Sequence, residues 1–212
     1  MNTSPIKDEL LRGIELFRLE LSAAQVQQLL DYLALLIKWN KAYNLTAVRD
    51  PLQMVTRHLL DSLAILPYLK GQRILDVGTG AGLPGIPLSI ADPQRDYCLL
   101  DSNGKKCRFL QQVVVELGLK NVRIVEDRAE HFASELCFDS IVARAVSTVA
   151  EIIKNTEHLI CAQGQWLLMK GQHPQEELEG INATISVIPY QVPGLDEQRH
   201  LVCATPQPEP EP

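Results

Sequence analysis

The chain has 212 residues, of which 46% are hydrophobic and 22% charged, with a formal net charge of −6 at pH 7. This composition is typical of a globular protein, and the length suits one domain with a small appendage. The acidic balance argues against general affinity for DNA or RNA, although the stretch 36–73 carries six basic and only two acidic side chains. With no apolar run of roughly 18 residues and no signal-peptide layout, we expect a cytoplasmic protein without a membrane partner.

The five cysteines are widely spaced, and none of them forms a C-x-x-C pair or lies at zinc-finger spacing from a histidine. The spacing therefore predicts reduced thiols in or near the core, rather than disulfides, and no metal site. These residues are Cys98, Cys107, Cys137, Cys161 and Cys203.

The first 70 residues have the pattern of helices. Ser22 and Gln25 match a capping box, and apolar residues then recur at helical spacing from Val26 to Ile37. Asp50 followed by Pro51 is a second helix start signal. We therefore expect a small helical N-terminal extension over residues 1–70.

From residue 71 onward, apolar runs alternate with helical patterns. Strands are predicted at 73–77, 97–100, 122–125, 138–143 and 165–169, and helices at 83–91, 105–117 and 148–162. This alternation predicts an α/β fold with a mainly parallel sheet. After a short polar helix near 174–179, strands at 184–189 and 200–204 would add an antiparallel edge, so the core spans 71–204. The Pro-rich residues 205–212 are predicted to form a disordered tail.

The most informative segment is residues 74–85, ILDVGTGAGLPG, which reads as a strand, a glycine-rich turn and the start of a helix. Gly80-x-Gly82-x-x-Gly85 fits the dinucleotide fingerprint, whereas Asp76-x-Gly78-x-Gly80-x-Gly82 fits the form found in methyltransferases. A carboxylate at the mouth of the loop would attract the cationic S-adenosylmethionine and repel the phosphates of NAD. Asp76 therefore favours S-adenosylmethionine over NAD, and over a tight turn that binds nothing.

Asp101 follows the second predicted strand, about 20 residues past the glycine loop, as a ribose-binding acid does in such folds. Both candidate cofactors contain a ribose, so Asp101 supports either. It also fits a helix cap, a role that Ser102 or Asn103 could fill equally well.

Seven groups of residues together carry a family resemblance that spans nearly the whole chain except the Pro-rich tail. They resemble the ribosomal RNA small-subunit methyltransferase G family, also called glucose-inhibited division protein B. The groups are WNKAYNLTAVR at 39–49, RHLLDS at 57–62, residues 76–88, residues 100–102 with Lys105 and 108–110, Arg144 with Ala145, MKGQ at 169–172, and RHL at 199–201.

The resemblance implies a Rossmann-like class I methyltransferase core and S-adenosylmethionine-dependent methylation of a guanosine N7 in bacterial 16S ribosomal RNA, near the decoding site. The substrate would be the 30S subunit or an assembly intermediate. The resemblance also implies that Gly78, Leu83, Ala129, Glu130 and Arg144 contact the cofactor.

Methylation at N7 needs no general base, because N7 has an in-plane lone pair and no proton. We therefore expect direct in-line transfer in which the protein mainly positions the reactants. Arg144, just past the fourth strand, is suited to hold guanine O6, or it forms a surface salt bridge with Asp139 or Glu151. Lys170, at the end of the fifth strand, contacts an RNA phosphate or is an ordinary strand-end charge.

Other polar and aromatic residues support weaker hypotheses. Trp39 and Tyr43 fit base stacking and core packing equally well. His58 and Asp61 sit on one helix face, which argues against a catalytic triad and predicts a buried hydrogen-bonded pair. The candidates for RNA-backbone contact are Lys41, Arg49, Arg57, Lys105 and Arg108.

Three other functions compete with RNA methylation. A small-molecule methyltransferase would share the cofactor loop, an NAD(P)-dependent oxidoreductase would bind a nicotinamide cofactor instead, and a noncatalytic RNA-binding factor would keep the fold but transfer nothing. The intact glycine loop with Asp76 and Asp101 argues against the noncatalytic factor.

Overall fold

The computed structural model describes residues 4–207, which build a seven-stranded sheet with the strand order β3-β2-β1-β4-β5-β7-β6. Strands β1 to β5 pair in parallel, while β7 runs antiparallel to β5 and β6 antiparallel to β7. This confirms the predicted α/β class and its antiparallel edge. The strands are β1 Arg73–Val77, β2 Asp96–Asp101, β3 Val122–Glu126, β4 Phe138–Arg144, β5 Ile160–Lys170, β6 Ala183–Tyr190 and β7 Arg199–Pro206.

Helices cover the first third of the chain, from Ser4 to Tyr68, and alternate with the parallel strands afterwards. The Ser22 capping box starts α2 as predicted, and Gly118, at φ +64°, ends α6. The helices are α1 Ser4–Leu16, α2 Ala23–Tyr43, α3 Pro51–Met54, α4 Asp61–Leu63, α5 Gly85–Ala91, α6 Gly104–Leu117 and α7 Val149–Thr156. A π-helical segment, Val55–Leu60, joins α3 to α4, and short 3-10 turns lie at Leu66–Tyr68 and Gln175–Glu177.

The sheet separates two hydrophobic cores, because successive side chains along each strand point to opposite faces. Ile74 and Leu99 face the larger core, which also contains the buried residues of α1 and α2, whereas Leu75 and Trp166 face the smaller core under α7. The N-terminal helices therefore contribute to the core on this face of the sheet, where α2 packs against α5 and α6. Among the described residues, no helix is both long and apolar enough to cross a membrane.

Strand order reverses between β1 and β4, since β2 and β3 lie on one side of β1 and β5 on the other side of β4. In open α/β sheets, a crevice forms at such a reversal, outside the carboxyl ends of the strands, and ligands bind there. The fold thus directs attention to the loops that follow Val77 and Arg144.

Two predicted boundaries are wrong. The helix predicted over 148–162 ends at Thr156, and Ile160 already pairs with Phe138 as part of β5. Short apolar runs do not distinguish helix from strand, and tertiary pairing decided this one. Strand β7 also continues through Pro206, which pairs with Ala183. Residues 205 and 206, predicted to belong to the disordered tail, are therefore part of the sheet. Residues 208–212 lie outside the described part of the chain.

The expectation of reduced cysteines is wrong for one pair. Cys137 and Cys161 form a disulfide with their Cα atoms 5.0 Å apart. The pairing of Phe138 with Ile160 brings these two residues together, a contact between neighbouring strands that their spacing in the chain does not reveal. The three remaining cysteines are free, and within residues 4–207 no group of three or more His, Cys, Asp or Glu side chains is arranged to hold a metal ion.

Candidate active site

The glycine loop leaves β1 through residues in the left-handed region, with φ +63° at Gly78, +62° at Gly80 and +94° at Gly82. Only glycine adopts such angles without strain, which explains the alternating pattern. Backbone and side-chain hydrogen bonds fix the loop. Gly80 N donates to Asp101 Oδ2 at 2.8 Å, and Tyr32 Oη of α2 donates to the carbonyl of Ala81 at 2.8 Å.

Asp76 lies beneath this loop rather than at its mouth. Its side chain is fully buried, and Oδ2 accepts hydrogen bonds from Thr79 Oγ1 at 2.6 Å and from Gly85 N at 2.8 Å. Burial raises the pKa of the Asp76 carboxyl to about 7, even though both hydrogen bonds act in the opposite direction. The expected position of Asp76 at the mouth of the loop is therefore wrong, because the residue braces the loop from below. Its direct attraction for a cationic ligand stays a prediction, and its buried Oδ1 accepts no hydrogen bond within the described residues.

A cavity of about 360 Å³, here called the loop cavity, opens between the glycine loop and the segments that follow β2, β3 and β4. Its wall includes Gly78, Asp101, Ala129 and Glu130, four of the residues expected to bind a cofactor. The other five, which are Asp76, Gly80, Gly82, Leu83 and Arg144, are not among its lining residues.

Asp101 keeps hydrogen-bonding capacity toward the loop cavity. Its Oδ2 accepts from Gly80 N and its Oδ1 accepts from Asn103 N at 2.9 Å, which leaves lone pairs on both oxygens. Lys106 Nζ lies 3.6 Å from Oδ2 at the edge of the cavity. The side chain of Asn103, rather than that of Asp101, caps α6, so the alternative role of Asp101 as the helix cap is wrong.

The structure adds lining residues that the sequence pattern did not identify. Lys106 lies in a basic cluster that gives no signal for cofactor binding. Asn155 of α7 is distant in the chain from every motif. Val146 is the third addition. A Cβ atom on Gly78 would lie 2.7 Å from both Val146 Cγ atoms, so Gly78 also leaves room for this side chain.

A second cavity of about 280 Å³, here called the polar cavity, lies beside the first, and Ala145 lines both. Ala145 has φ +54°, an unusual value for a residue with a Cβ atom. The charged and hydrogen-bonding side chains of the polar cavity are Arg57, His58, Asp61, Arg144, Lys170, Tyr190 and Arg199.

Asp61 is the centre of the polar cavity. Arg144 Nη1 donates to Asp61 Oδ2 at 3.2 Å and Tyr190 Oη donates to Asp61 Oδ1 at 3.2 Å, while Arg199 Nε stands 3.7 Å from the same carboxylate. Arg144 Nη1 also donates to the carbonyl of Arg57 at 2.8 Å. Two largely buried guanidinium groups therefore share one buried carboxylate, and the alternative salt bridge of Arg144 with Asp139 or Glu151 is wrong.

His58 does not pair with Asp61, so the predicted His–Asp hydrogen bond is wrong. Its Nε2 lies 2.8 Å from Thr46 Oγ1, while the arginines occupy the carboxylate of Asp61. Burial, and then the positive charge of Arg144, lower the pKa of His58 to about 4. The imidazole is therefore uncharged at neutral pH. It belongs to the π-helical segment, a feature that occurs frequently at functional sites.

Lys170 makes a strand-end ion pair in this structure. Its Nζ donates to Glu177 Oε2 at 2.6 Å and to the carbonyl of Ser147 at 2.9 Å, and 15% of its side chain is exposed. Ser147 also lines the loop cavity. Lys170 therefore holds the segment after β4 in place between the two cavities.

The five predicted RNA contacts do not form one cluster around the cavities. Arg57 lines the polar cavity and pairs with Glu197 at 3.2 Å, whereas Lys41 lies in a groove between α1 and α2. Arg49 bonds to the carbonyl of Asn40, and both Lys105 and Arg108 are exposed on the first turns of α6.

The two aromatic side chains proposed for base stacking contact each other, with ring centroids 5.1 Å apart. Trp39 also packs against the buried Phe109 at 5.6 Å, which favours the interpretation that it belongs to the core. Tyr43 is 38% exposed.

Comparison with known proteins identifies the family. Residues 25–202 match the family described as rRNA small subunit methyltransferase G. Proteins named Ribosomal RNA small subunit methyltransferase G from Chromobacterium violaceum and Pseudomonas aeruginosa are 52% and 53% identical to this chain, covering 92% of it and 95% and 93% of their own lengths.

Solved structures support the fold independently. A precorrin-6y C5,15-methyltransferase from Geobacter metallireducens superposes with a TM-score of 0.55 at 18% identity, covering 69% of this chain and 87% of that one. Aeropyrum pernix fibrillarin with natively bound S-adenosyl-L-methionine gives 0.53 at 17% identity, covering 66% and 68%. This is the Rossmann-like fold of class I methyltransferases, and the chain belongs to the rRNA small subunit methyltransferase G family.

Proposed function

We propose that this chain transfers a methyl group from S-adenosylmethionine to N7 of a guanosine in bacterial 16S ribosomal RNA, near the decoding site. One observation carries the proposal: the loop cavity and the polar cavity meet at Ala145. S-adenosylmethionine held in the loop cavity and a guanine held in the polar cavity would then be separated only by Ala145. The relatives from Chromobacterium violaceum and Pseudomonas aeruginosa are named as small-subunit ribosomal RNA methyltransferases, which supports the RNA as substrate.

The loop cavity suits S-adenosylmethionine. Its volume of about 360 Å³ falls within the range of about 300–1,000 Å³ that is usual for small-molecule sites. Asp101 retains free lone pairs for ribose hydroxyls, and two further acids, the half-buried Asp127 and the exposed Glu130, line the same cavity. Left-handed Gly78 lets a ligand approach the backbone closely. We assign direct contacts to Gly78, Asp101, Ala129 and Glu130, and indirect support to Asp76, Gly80, Gly82 and Leu83.

The side chains of the polar cavity then position the guanine. When bound, S-adenosylmethionine supplies an electrophilic methyl group on its sulfonium sulfur. Guanine N7 carries no proton, so none of the surrounding residues needs to act as a general base. Hydrogen bonds to Asp61 and to the carbonyl of Arg57 fix the orientation of the Arg144 guanidinium group. A guanidinium group is suited to donate hydrogen bonds to the acceptor edge of guanine. Asp61 also places negative charge near a ring that becomes cationic.

The remaining parts of the proposal concern the partner and its location. The substrate is the 30S subunit or an assembly intermediate in the cytoplasm, and not DNA. Lys41, Arg49, Arg57, Lys105 and Arg108 contribute phosphate contacts, with Arg57 at the entrance to the polar cavity. Residues 1–70 act as a helical extension of the catalytic core.

The test is radiolabelled methyl transfer from S-adenosylmethionine onto 30S subunits from a strain that lacks the enzyme. Protein-free 16S RNA, bulk transfer RNA and a sample without RNA run in parallel. The expected result is label recovered as 7-methylguanosine from 16S RNA. Comparing 30S subunits with protein-free 16S RNA shows which of the two is the substrate. Cofactor binding without label on any RNA would overturn the proposal and favour a small-molecule methyltransferase.

A further inference from the structure

The Cys137–Cys161 disulfide lies at the edge of the sheet opposite the two cavities. Cys137 is exposed and immediately precedes β4, whereas Cys161 is half-buried near the start of β5. Both residues lie at the amino ends of parallel strands, and the loop and polar cavities lie at the carboxyl ends. The bond is therefore accessible from solvent through one of its two sulfurs, and the proposed methyl transfer does not use it.

A guanidinium group lies beside both sulfurs. Arg73 Nη2 is 3.9 Å from Cys137 Sγ and 3.8 Å from Cys161 Sγ. A neighbouring arginine stabilises a thiolate and so makes a cysteine a better leaving group and a better nucleophile. Asp139 of β4, which lies 3.9 Å from Arg73 Nε, partly offsets this charge.

A basic cavity adjoins the disulfide. It has a volume of about 580 Å³ and is lined by Arg73, by Lys120 and Arg123 from the β3 side, and by Leu136 and Phe138, which flank Cys137 in the chain. Asp96 and Glu135 are the acids on its wall. The cavity is large enough for a tripeptide-sized ligand, and its three cations complement carboxylates.

From these contacts we propose that Cys137 and Cys161 form a thiol–disulfide exchange site for a small anionic thiol of the glutathione class. The incoming thiolate attacks Cys137 Sγ, the bond between the two cysteines breaks, and Cys161 leaves as a thiolate beside Arg73. A second thiol then attacks the mixed disulfide, which releases the disulfide of the small thiol and leaves Cys137 reduced. The reverse sequence, starting from that small disulfide, closes the protein bond again.

The other cysteines provide built-in controls. Cys98 and Cys107 are buried, and burial raises the pKa of both thiols. Cys203 in β7 is half-buried, and burial raises its thiol pKa as well. Cys98 lines the basic cavity, with Arg123 Nη2 3.6 Å from its Sγ, but burial outweighs this charge and keeps its thiol pKa raised. Reactive thiolates are therefore expected at the Arg73 pair and not at the three free cysteines.

The first experiment equilibrates the full chain with reduced and oxidised glutathione at graded ratios, then acid-quenches, denatures and counts alkylatable thiols by mass spectrometry. The count is expected to change reversibly from three to five, since the chain has five cysteines and the pair contains two. Five thiols at every ratio, or three thiols even in excess reduced glutathione, would overturn the proposal.

The second experiment uses Cys161→Ser, which leaves Cys137 without its partner, and maps glutathione adducts after exposure to oxidised glutathione. Cys137 is expected to react at least about tenfold faster than Cys203. Arg73→Gln in the same background should slow Cys137 about threefold, because a one-unit rise in thiol pKa lowers the thiolate fraction about tenfold while raising the nucleophilicity of each thiolate about threefold. Equal rates at Cys137 and Cys203 would overturn the proposal. Thermal melts verify that each variant is folded.

Discussion

The loop cavity and the polar cavity share Ala145 but are built in opposite ways. The glycine wall of the loop cavity depends on backbone conformation within one short stretch, where Gly78, Gly80 and Gly82 are left-handed and the buried carboxylate of Asp76 accepts from Thr79 and Gly85. The polar cavity depends on charged side chains far apart in the chain, with Asp61 holding Arg144 and Arg199. One cavity is thus fixed by local geometry and the other by electrostatic balance, so the two should respond to different perturbations.

The largest expected effect is on the polar cavity. Asp61→Asn would remove the negative charge that Arg144 and Arg199 share. Arg144 would lose its carboxylate partner, and Arg199 would keep only the exposed Glu197 at 3.7 Å. Removing one partner from a buried ion pair typically destabilises a protein by about 3–5 kcal/mol. We expect a clearly lower midpoint of urea unfolding and loss of methyl transfer.

Asp31→Asn is the matched control, because the exposed carboxylate of Asp31 only accepts a hydrogen bond from Gln27 on the surface of α2. Its free energy of unfolding should change by less than about 0.5 kcal/mol. If Asp61→Asn were as stable as Asp31→Asn, the view of Asp61 as the electrostatic centre would be wrong.

The next effect concerns pH and the loop cavity. The pKa of Asp76 is raised to about 7 from its ordinary value of 3.8, so between these two pH values the folded state holds a proton that the unfolded chain releases. This contribution to stability is fully present below pH 3.8 and is lost as pH rises through about 7. His58 acts in the opposite direction, because its lowered pKa makes stability rise with pH between about 4 and 6.5.

Comparing variants isolates the contribution of Asp76. Asp76→Asn resembles the protonated carboxyl, so the fall in stability from pH 4 to 7 should be smaller in the variant than in the parent chain. Asp96→Asn, at an exposed position of β2, should keep the parent profile. Thermal unfolding of all three proteins across this pH range measures the difference, and identical slopes for Asp76→Asn and the parent would contradict the assignment.

The smallest effect is at the junction of the cavities. Ala145 has φ +54°, and a left-handed residue with a Cβ atom costs roughly 1–2 kcal/mol. Glycine removes this strain but loses more conformational entropy on folding than alanine. Ala145→Gly should therefore raise the free energy of unfolding, measured in urea, by about 0.5–1 kcal/mol. Ala143→Gly, in the buried part of β4, should destabilise it instead. A loss of stability in Ala145→Gly would refute the strained junction.

The same contrast explains which features the sequence could predict. The capping box of α2, the glycine turn and the alternating strands depend on neighbours in the chain, and periodicity records such relations. The ion pair between Asp61 and Arg199 joins positions remote in sequence, so no spacing rule could find it. The disulfide and the first residues of β5 were missed for the same reason, since strand pairing decided both.

Asp76 shows a subtler limit. Its place in the motif correctly indicated the type of cofactor loop, but the expected position of its carboxylate at the mouth of the loop was wrong. The pattern gives the position of the carboxylate in the chain and not the direction in which it points. Only the hydrogen bonds from Thr79 and Gly85 reveal that it faces the loop from below.

In the proposed function, the loop cavity binds the cofactor and the polar cavity admits the RNA. The most direct test measures the Kd for S-adenosylmethionine and the KM for 30S subunits in two variants, Asp101→Asn and Arg57→Gln. Asp101→Asn should weaken cofactor binding about tenfold or more, because a hydrogen bond to a charged acceptor contributes about 1.5–3 kcal/mol. Arg57→Gln should raise the KM for RNA severalfold and leave the cofactor Kd unchanged. If Arg57→Gln instead weakened cofactor binding while Asp101→Asn did not, the assignment of the two cavities would be contradicted.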